Sequence, residues 1–448
     1  MTPCVRSLGA EFHMGQVEHR MNIWLITTGE ALPIDGVETR LWRTGSLAQA
    51  LVDMGHRVTW WTSDFIHAMK RPRFGVHTTV ECAPGYKIQL LASCGYTGHI
   101  SLRRIKDHRQ VACAFLERAA HEESPDVIVC AFPTIELADA CRRFAAQRSV
   151  PLAFDIRDLW PDIFPEVAPW LLRPVVRAVL APYDHLARRA LRSADAIIGI
   201  TEPILEWGLA KAGRNRRDID AVFPLTYSAP SMSSGSGGVL PAGIDGGPSR
   251  PFTICMFATF GRHFDMQTVI SAARILAEQR IPVQFAMCGS GDLLDSLRRM
   301  AADLPSVVFP GWLNGGQMSA VMAVSHMGIA PYLPRFDFVR SIPNKPIEYM
   351  SAGLPILTSL EGLLMDIVRR ENIGYGYRAG GAMALVDVVK SAMNDLPGLA
   401  AMGLRAKELF DRQFRSDIVL AGYCRFIHEL LNHHQKSGAA KQREMVGS

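Results

Sequence analysis

The sequence predicts an α/β protein of two doubly wound domains in series, facing a cleft. Three observations carry that prediction. Short apolar runs alternate with helical stretches from Met21 onward: "MNIWLITT", "GHRVTWWTS", "KIQLLAS", "DVIVCAFP", "PLAFDIRD" and "AIIGIT". Continuous apolar strands separated by helices make a parallel sheet covered on both faces. The alternation lapses over 228–250, where Gly, Ser and Pro dominate, and restarts with "FTICMFATFG", "VQFAMCGSG", "VVFPGW", "MGIAPY" and "PILTS". Finally, 448 residues are too many for one ordinary core.

In chain order, residues 1–20 are mixed and polar without an apolar segment, so they read as a flexible leader and not a signal peptide. The first domain is expected over 21–227, with a helix near Arg43–Met54 that Gly55 ends. A flexible linker is expected over 228–250 and the second domain over 251–415. A helix over 416–435 is expected to cross back to the first domain, leaving 436–448 as a tail. Between Trp170 and Asp195 apolar residues interleave with Arg173, Arg177, Arg188, Arg189 and Arg192. That pattern suits either a helix meeting acidic headgroups at a membrane surface or an ordinary solvated face.

With 48% hydrophobic and 20% charged residues, the composition is that of a folded chain and not a disordered one. A net charge of +5 permits phosphates or an acidic membrane surface as partners but is no nucleic-acid signature. The nine cysteines lack paired spacing, and most sit in apolar runs, as Cys130 and Cys288 do. They read as small core residues in a reducing compartment, not as a metal cluster. No apolar run reaches the roughly 18 residues of a membrane span.

The stretch "RSIPNKPIEYMSAGLPILTS" from Arg340 carries the main candidate site. Pro346 suits a first helical position, and Gly353 and Pro355 suit the exit into a strand. A helix N-terminus presents backbone N–H groups and partial positive charge, and Lys345 adds a full charge, so the two together suit a diphosphate. Glu348, one turn on, suits the hydroxyls of a ribose. A plain surface Lys with a dipole-compensating Glu fits the same spacing. Asp158, with Arg157, lies at the carboxyl end of a strand, where it can orient or deprotonate an acceptor hydroxyl. A salt bridge among Asp155, Arg157 and Asp158 is the alternative.

"IPNKPIEYMSAGLPIL" resembles the nucleotide-sugar signature of glycosyltransferase family 4, and "FATFGRHFDMQTVISAARIL", "FAMCGSGDLLDSL" and "VVFPGWLNGGQMSAVMAVSHMGIAPY" resemble the family's donor-domain segments in order. "FDIRDLWPD" is similar to a subgroup that builds bacterial surface polysaccharides, including transferases for amino-deoxy sugars. The resemblance implies the GT-B fold, two Rossmann-like domains, and transfer from a nucleotide sugar with retention. It implies catalytic roles for Lys345, Arg262, Glu348 and Asp158. Donor contacts fall to Thr259, Gly261, Gly289, Gly291, Ile342 and Asn344, and an acceptor-side role to Gly36. By position alone Arg157 and His99 are further acceptor-side candidates, though a lone loop histidine such as His99 also fits a plain structural residue. Close packing alone explains Gly289 and Gly291 equally well, and Arg262 also fits a plain surface residue.

Two departures stand out. Arg340 occupies the place of the first of the family's two glutamates, the one that usually contacts the transferred sugar. Asp265 stands where a second phosphate-binding cation, a Lys, is usual. The resemblance implies no cofactor and no metal, because cations serve the diphosphate. It implies a UDP-sugar donor, a lipid-linked or lipopolysaccharide acceptor as in O-antigen synthesis, and a cytoplasmic place at the inner face of the membrane. A nucleotide-sugar 2-epimerase of the same fold and a non-catalytic partner protein are the alternatives. A dinucleotide oxidoreductase fits less well, because neither first strand leads into G-x-G-x-x-G with an acid about 20 residues on.

Overall fold

The structure is a computed structural model that describes residues 20–36, 39–67, 69–98, 101–227 and 238–446. The chain divides into two compact units. One comprises residues up to Cys130 together with Arg143–Leu152, the other Ala131–Arg142 together with Ala153 onward. The leader except Arg20, residues 228–237 of the linker, and His99 lie outside the described residues.

The first unit holds β1 (Asn22–Ile26), β2 (Arg57–Ser63), the short hairpin β3 (Phe65–Ile66) and β4 (Arg71–Pro72), β5 (Thr78–Ala83), β6 (Tyr86–Leu91) and β7 (Val127–Phe132). Helix α1 (Arg43–Asp53) precedes β2 and α2 (Leu102–Ala119) precedes β7; α3 (Ile135–Arg148) follows β7, with its residues up to Arg142 counted in the second unit. The main strands lie in the order β7–β1–β2–β6–β5. All of these pairs are parallel except β5 with β6. Apolar periodicity does not reveal β5, because an edge strand is half covered and "TTVECA" is correspondingly mixed. Under the sheet, Trp24 meets Trp61 at 5.0 Å and Phe115 at 6.2 Å.

In the second unit β8 (Leu152–Ile156), α4 (Ile163–Val167), α5 (Arg173–Arg192), β9 (Ala196–Gly199), α6 (Glu202–Ala212) and β10 (Ala221–Val222) form a parallel set ordered β10–β9–β8. Then come β11 (Phe252–Thr259), α7 (Met266–Glu278), β12 (Val283–Ser290), α8 (Leu294–Met300), β13 (Val307–Gly311), α9 (Gly315–Val324) and β14 (Met327–Ala330). They are followed by α10 (Asn344–Ser351), β15 (Ile356–Thr358), α11 (Leu363–Arg370), β16 (Gly374–Gly376), α12 (Ala382–Asn394), α13 (Leu396–Gln413) and α14 (Ser416–Val446). This sheet is parallel throughout, in the order β13–β12–β11–β14–β15–β16. The order steps outward from β11 one way and then from β14 the other, which is the doubly wound arrangement.

Of the Gly/Ser/Pro-rich stretch, the described part includes Ile244, which is buried, and Gly243, whose carbonyl accepts from the Gln284 amide at 2.9 Å. α14 stacks Tyr423 on Phe223 at 4.5 Å, and His434 Nδ1 lies 3.1 Å from Asp195. The helix expected over 416–435 is α14, which begins at Ser416 and runs on to Val446 through most of the stretch expected as a tail; α13 precedes it.

A buried cation ties the β8 loop to two helices. Lys211 of α6 reaches Asp162 at 2.7 Å and contacts Asp184 of α5, while the Trp207 indole donates to Asp162 at 2.9 Å. Lys211 is 6% exposed, and a cation buried to that degree is stabilised by such partners. Both carboxylates are partly solvated, which moderates the effect. Lys211→Met should therefore lower stability by about 2 kcal/mol in urea unfolding followed by fluorescence. An unchanged midpoint would show the tie to be dispensable.

Candidate active site

In a doubly wound sheet, ligands bind beyond the carboxyl ends of the strands where the order reverses. In the second unit that point lies between β11 and β14. Three segments meet its edge: the loop after β11, from Phe260 to Asp265; the stretch after β14, from Pro331 to Ser341; and the start of α10.

α10 is seated by packing. Gly328 of β14 leaves room for the Tyr349 ring, since a Cβ there would stand 2.3 Å from it. The Tyr349 hydroxyl donates to the Ile329 carbonyl at 3.0 Å. The helix begins at Asn344, with Pro343 as its cap, two residues before the start expected from Pro346. Pro346 is tolerated in the first turn, where its missing N–H would have had no acceptor within the helix.

Glu348 is 2% exposed, and Lys345 donates to its carboxylate at 3.1 Å. The two residues thus sit on one face, as their spacing predicts, but they pair with each other. A buried carboxylate needs such a partner. Tyr332, also buried, is pushed up by desolvation and by the Glu348 charge. Asn344 is exposed and Ile342 is buried.

After β11, Thr259 and Arg262 are exposed. A side chain at Gly261 would meet the His263 ring at 2.9 Å. His263, which sequence reasoning passed over, packs against Phe264 at 4.1 Å and Phe338 at 5.8 Å. Burial lowers its pKa, and the Arg335 guanidinium lowers it further. The neighbouring "GRHFD" pattern carries no spacing that would have singled it out. Asp265 caps α7, accepting from Thr268 N at 3.2 Å, and also takes Gly380 N at 2.8 Å. A Lys there would lose the cap.

Gly289 and Gly291 are required by close packing. A Cβ at Gly289 would lie 1.8 Å from the Ala258 carbonyl oxygen, and one at Gly291 2.6 Å from Phe260 N. Both also have positive φ, +139° and +136°. Arg340 turns back on its own turn: its guanidinium donates to the Phe336 carbonyl at 2.9 Å and lies 3.9 Å from the Phe336 ring centroid. Its carbonyl accepts from the Thr201 hydroxyl at 2.6 Å.

The "RDLWPD" stretch separates its charges. Arg157 pairs with buried Asp155 at 2.9 Å. Asp158 stands apart from that pair, which corrects the three-residue bridge that adjacency suggested. It accepts from Leu159 N at 2.8 Å. Burial raises its carboxyl to about 6; the Asp337 charge adds to the rise, while the Leu159 amide and Arg335 oppose it. Gly36, at the end of a short turn in the first unit, has φ +149°. In that unit the order reverses between β1 and β7, and Glu30, buried after β1, accepts from the Thr44 hydroxyl at 2.6 Å. Among the described residues no group of three or more His, Cys, Asp or Glu is placed to hold a metal ion.

Residues 39–223 match the family model of the glycosyl transferase 4-like domain, and residues 251–395 that of glycosyl transferases group 1. No curated protein sequence matches the chain. Among solved structures, sucrose-phosphate synthase from Thermosynechococcus elongatus is similar, with 16% identity and a TM-score of 0.66 over 92% of this chain and 100% of that one. HepE of Anabaena in complex with UDP and glucose has 14% identity and a TM-score of 0.60, over 92% and 100%. A UDP-forming trehalose-phosphate synthase from Burkholderia xenovorans has 10% identity and a TM-score of 0.64, over 92% and 99%. Two Rossmann-like α/β domains carrying these matches define a nucleotide-sugar-dependent glycosyltransferase of the GT-B fold. Both family matches are to glycosyl transferase domains, one in each half of the chain.

An Asp158 carboxyl near 6 changes charge within an accessible pH range. If its carboxylate holds the acceptor hydroxyl, turnover falls about fivefold between pH 6 and pH 5, as protonation removes the ionised form. Asp158→Asn should abolish that acid limb in a pH–rate profile. A limb of the same position in the variant would take Asp158 out of the reaction.

Proposed function

We propose that this chain is a retaining transferase that moves a sugar, of the amino-deoxy type, from a UDP-sugar to a lipid-linked or lipopolysaccharide saccharide in cell-surface polysaccharide synthesis. The observation that carries the proposal is the buried Glu348, paired with Lys345, at the start of α10 beside the switch point. Lys345 and the N–H groups of the first turn face growing negative charge on a leaving diphosphate, while Arg262 stands exposed on the loop after β11. In the reaction the bond from the sugar's anomeric carbon to the diphosphate oxygen breaks. The acceptor oxygen bonds to the same face, and its proton passes to the departing diphosphate. Asp158 orients that hydroxyl. No metal is required for the diphosphate in this reading. UDP as the nucleotide is supported by HepE, which was solved with UDP and glucose. The "RDLWP" stretch supports the amino-deoxy class.

Calorimetry with UDP, with GDP and NAD as controls, tests the donor site. Wild type should bind UDP, and Lys345→Ala should lose most of that affinity and at least about 100-fold in turnover. Absence of any nucleotide binding by wild type would favour a non-catalytic partner. Equal binding by the variant would remove Lys345 from the site.

The acceptor's lipid fits a second feature. Trp170 (74% exposed), Leu171, Leu172, Val175 and Val179 form an exposed apolar stripe at the start of α5. Arg173 and Arg177 flank it and share one carboxylate, Glu166, at 3.2 and 3.6 Å. Apolar insertion beside surplus positive charge suits an anionic bilayer, here the inner face of the cytoplasmic membrane. No helix among the described residues is long and apolar enough to cross a membrane. Trp170→Ser with Leu171→Ser should move the protein from sedimenting anionic vesicles to the supernatant. Unchanged sedimentation would refute the stripe as the contact.

A further inference from the structure

In the first unit, a hairpin tip and a loop bring a cationic cluster together at the carboxyl ends of β2 and β6. The tip between β3 and β4 carries His67 and Lys70; the loop after β6 carries Tyr96; the first two turns of α2 carry Arg104 and His108. His67 Nδ1 lies 2.7 Å from the Tyr96 hydroxyl and 3.3 Å from Lys70 Nζ. Lys70 and Arg104 both lie over the Tyr96 ring, 5.0 and 5.3 Å from its centroid. Arg104 Nε reaches His108 Nε2 at 3.4 Å.

The cluster is held firmly. Gly95, beside Tyr96, has φ +61° and packs so closely that a Cβ would meet the Phe65 ring at 2.7 Å. Its N–H donates to Asp107 at 2.7 Å, and its carbonyl accepts from Arg103 at 3.0 Å. Lys70 itself adopts φ +54°, which disfavours a side chain and persists where surrounding structure imposes it. Burial lowers the Lys70 pKa, and the Arg104 charge lowers it further. Two like charges are thus held beside one ring, an arrangement that a bound anion would stabilise. Asp107 is the acid whose charge reaches Tyr96, but its carboxylate is committed to Gly95.

We propose that His67, Lys70, Tyr96 and Arg104 bind the phosphoryl group through which the saccharide acceptor is joined to its lipid. This deepens the proposed function and rests on its reading of the acceptor as lipid-linked. Arg supplies paired donors to phosphate oxygens, Lys a point charge, and the imidazole and phenol further donors. The cluster lies beyond the carboxyl ends of β2 and β6, on the edge of the first unit's sheet where ligands of such sheets bind.

The test is calorimetry with farnesyl diphosphate, a short lipid diphosphate, in the presence of saturating UDP. Inorganic diphosphate and farnesol form the other arms. Wild type should bind farnesyl diphosphate, and Lys70→Gln with Arg104→Gln should weaken it at least tenfold, with UDP affinity unchanged as the control for folding. Lys70→Arg should retain most of the affinity. Equal binding by the double variant, or farnesol bound as tightly as its diphosphate, would overturn the proposal. Inorganic diphosphate bound without farnesyl diphosphate would overturn it in favour of a free anion site. Failure of wild type to bind UDP would count against the donor reading and leave the farnesyl diphosphate comparison intact.

Discussion

Between β11 and β14 the second sheet changes its direction of winding, so the connections leaving these strands diverge to opposite faces and open a crevice at their carboxyl ends. Much of the candidate site follows from that. The loop after β11 brings Arg262 and His263 to the edge, and the stretch after β14 brings Tyr332, Arg335 and Asp337. α10 can reach the same edge only by lying close on β14, which a glycine at 328 permits and the Tyr349 ring secures. Its second turn then buries Glu348, and burial makes Lys345, one turn back, a necessary neighbour.

Charge placement divides structural from functional groups. Asp155 with Arg157, and Lys211 with Asp162 and Asp184, are paired ions that hold loops in place. Asp158 forms no ion pair among the described residues, and burial leaves it a weaker acid than a solvated carboxylate. A carboxyl perturbed in this way suits the role proposed for it. In the first unit Asp35 and Arg73 pair at 2.6 Å, while Lys70 and Arg104 both lie over the Tyr96 ring.

The departures from the family pattern have local explanations. Asp265 serves as a helix cap and ties a distant loop, tasks a lysine could not perform. Arg340 spends its guanidinium on its own turn and offers its carbonyl to Thr201.

The sequence by itself determined the class of fold. Uninterrupted apolar runs between helices can only be strands covered on both faces, and "KPIE" before "AGLPILT" marked a helix start whose Lys and Glu share a face. It also indicated the tight turns at Gly289 and Gly291 and the apolar, basic segment after Trp170. It left β5 unseen, because an edge strand covered on one side has no continuous apolar run. Tertiary structure decided which charges meet. That Lys345 pairs with Glu348, that Asp158 stands apart from Arg157, and that His67, Lys70, Tyr96 and Arg104 converge from separate segments depends on distances across loops. Spacing along a chain fixes neighbours within one helix or strand, but contacts between segments are set by how the sheets pack and where their strand order turns.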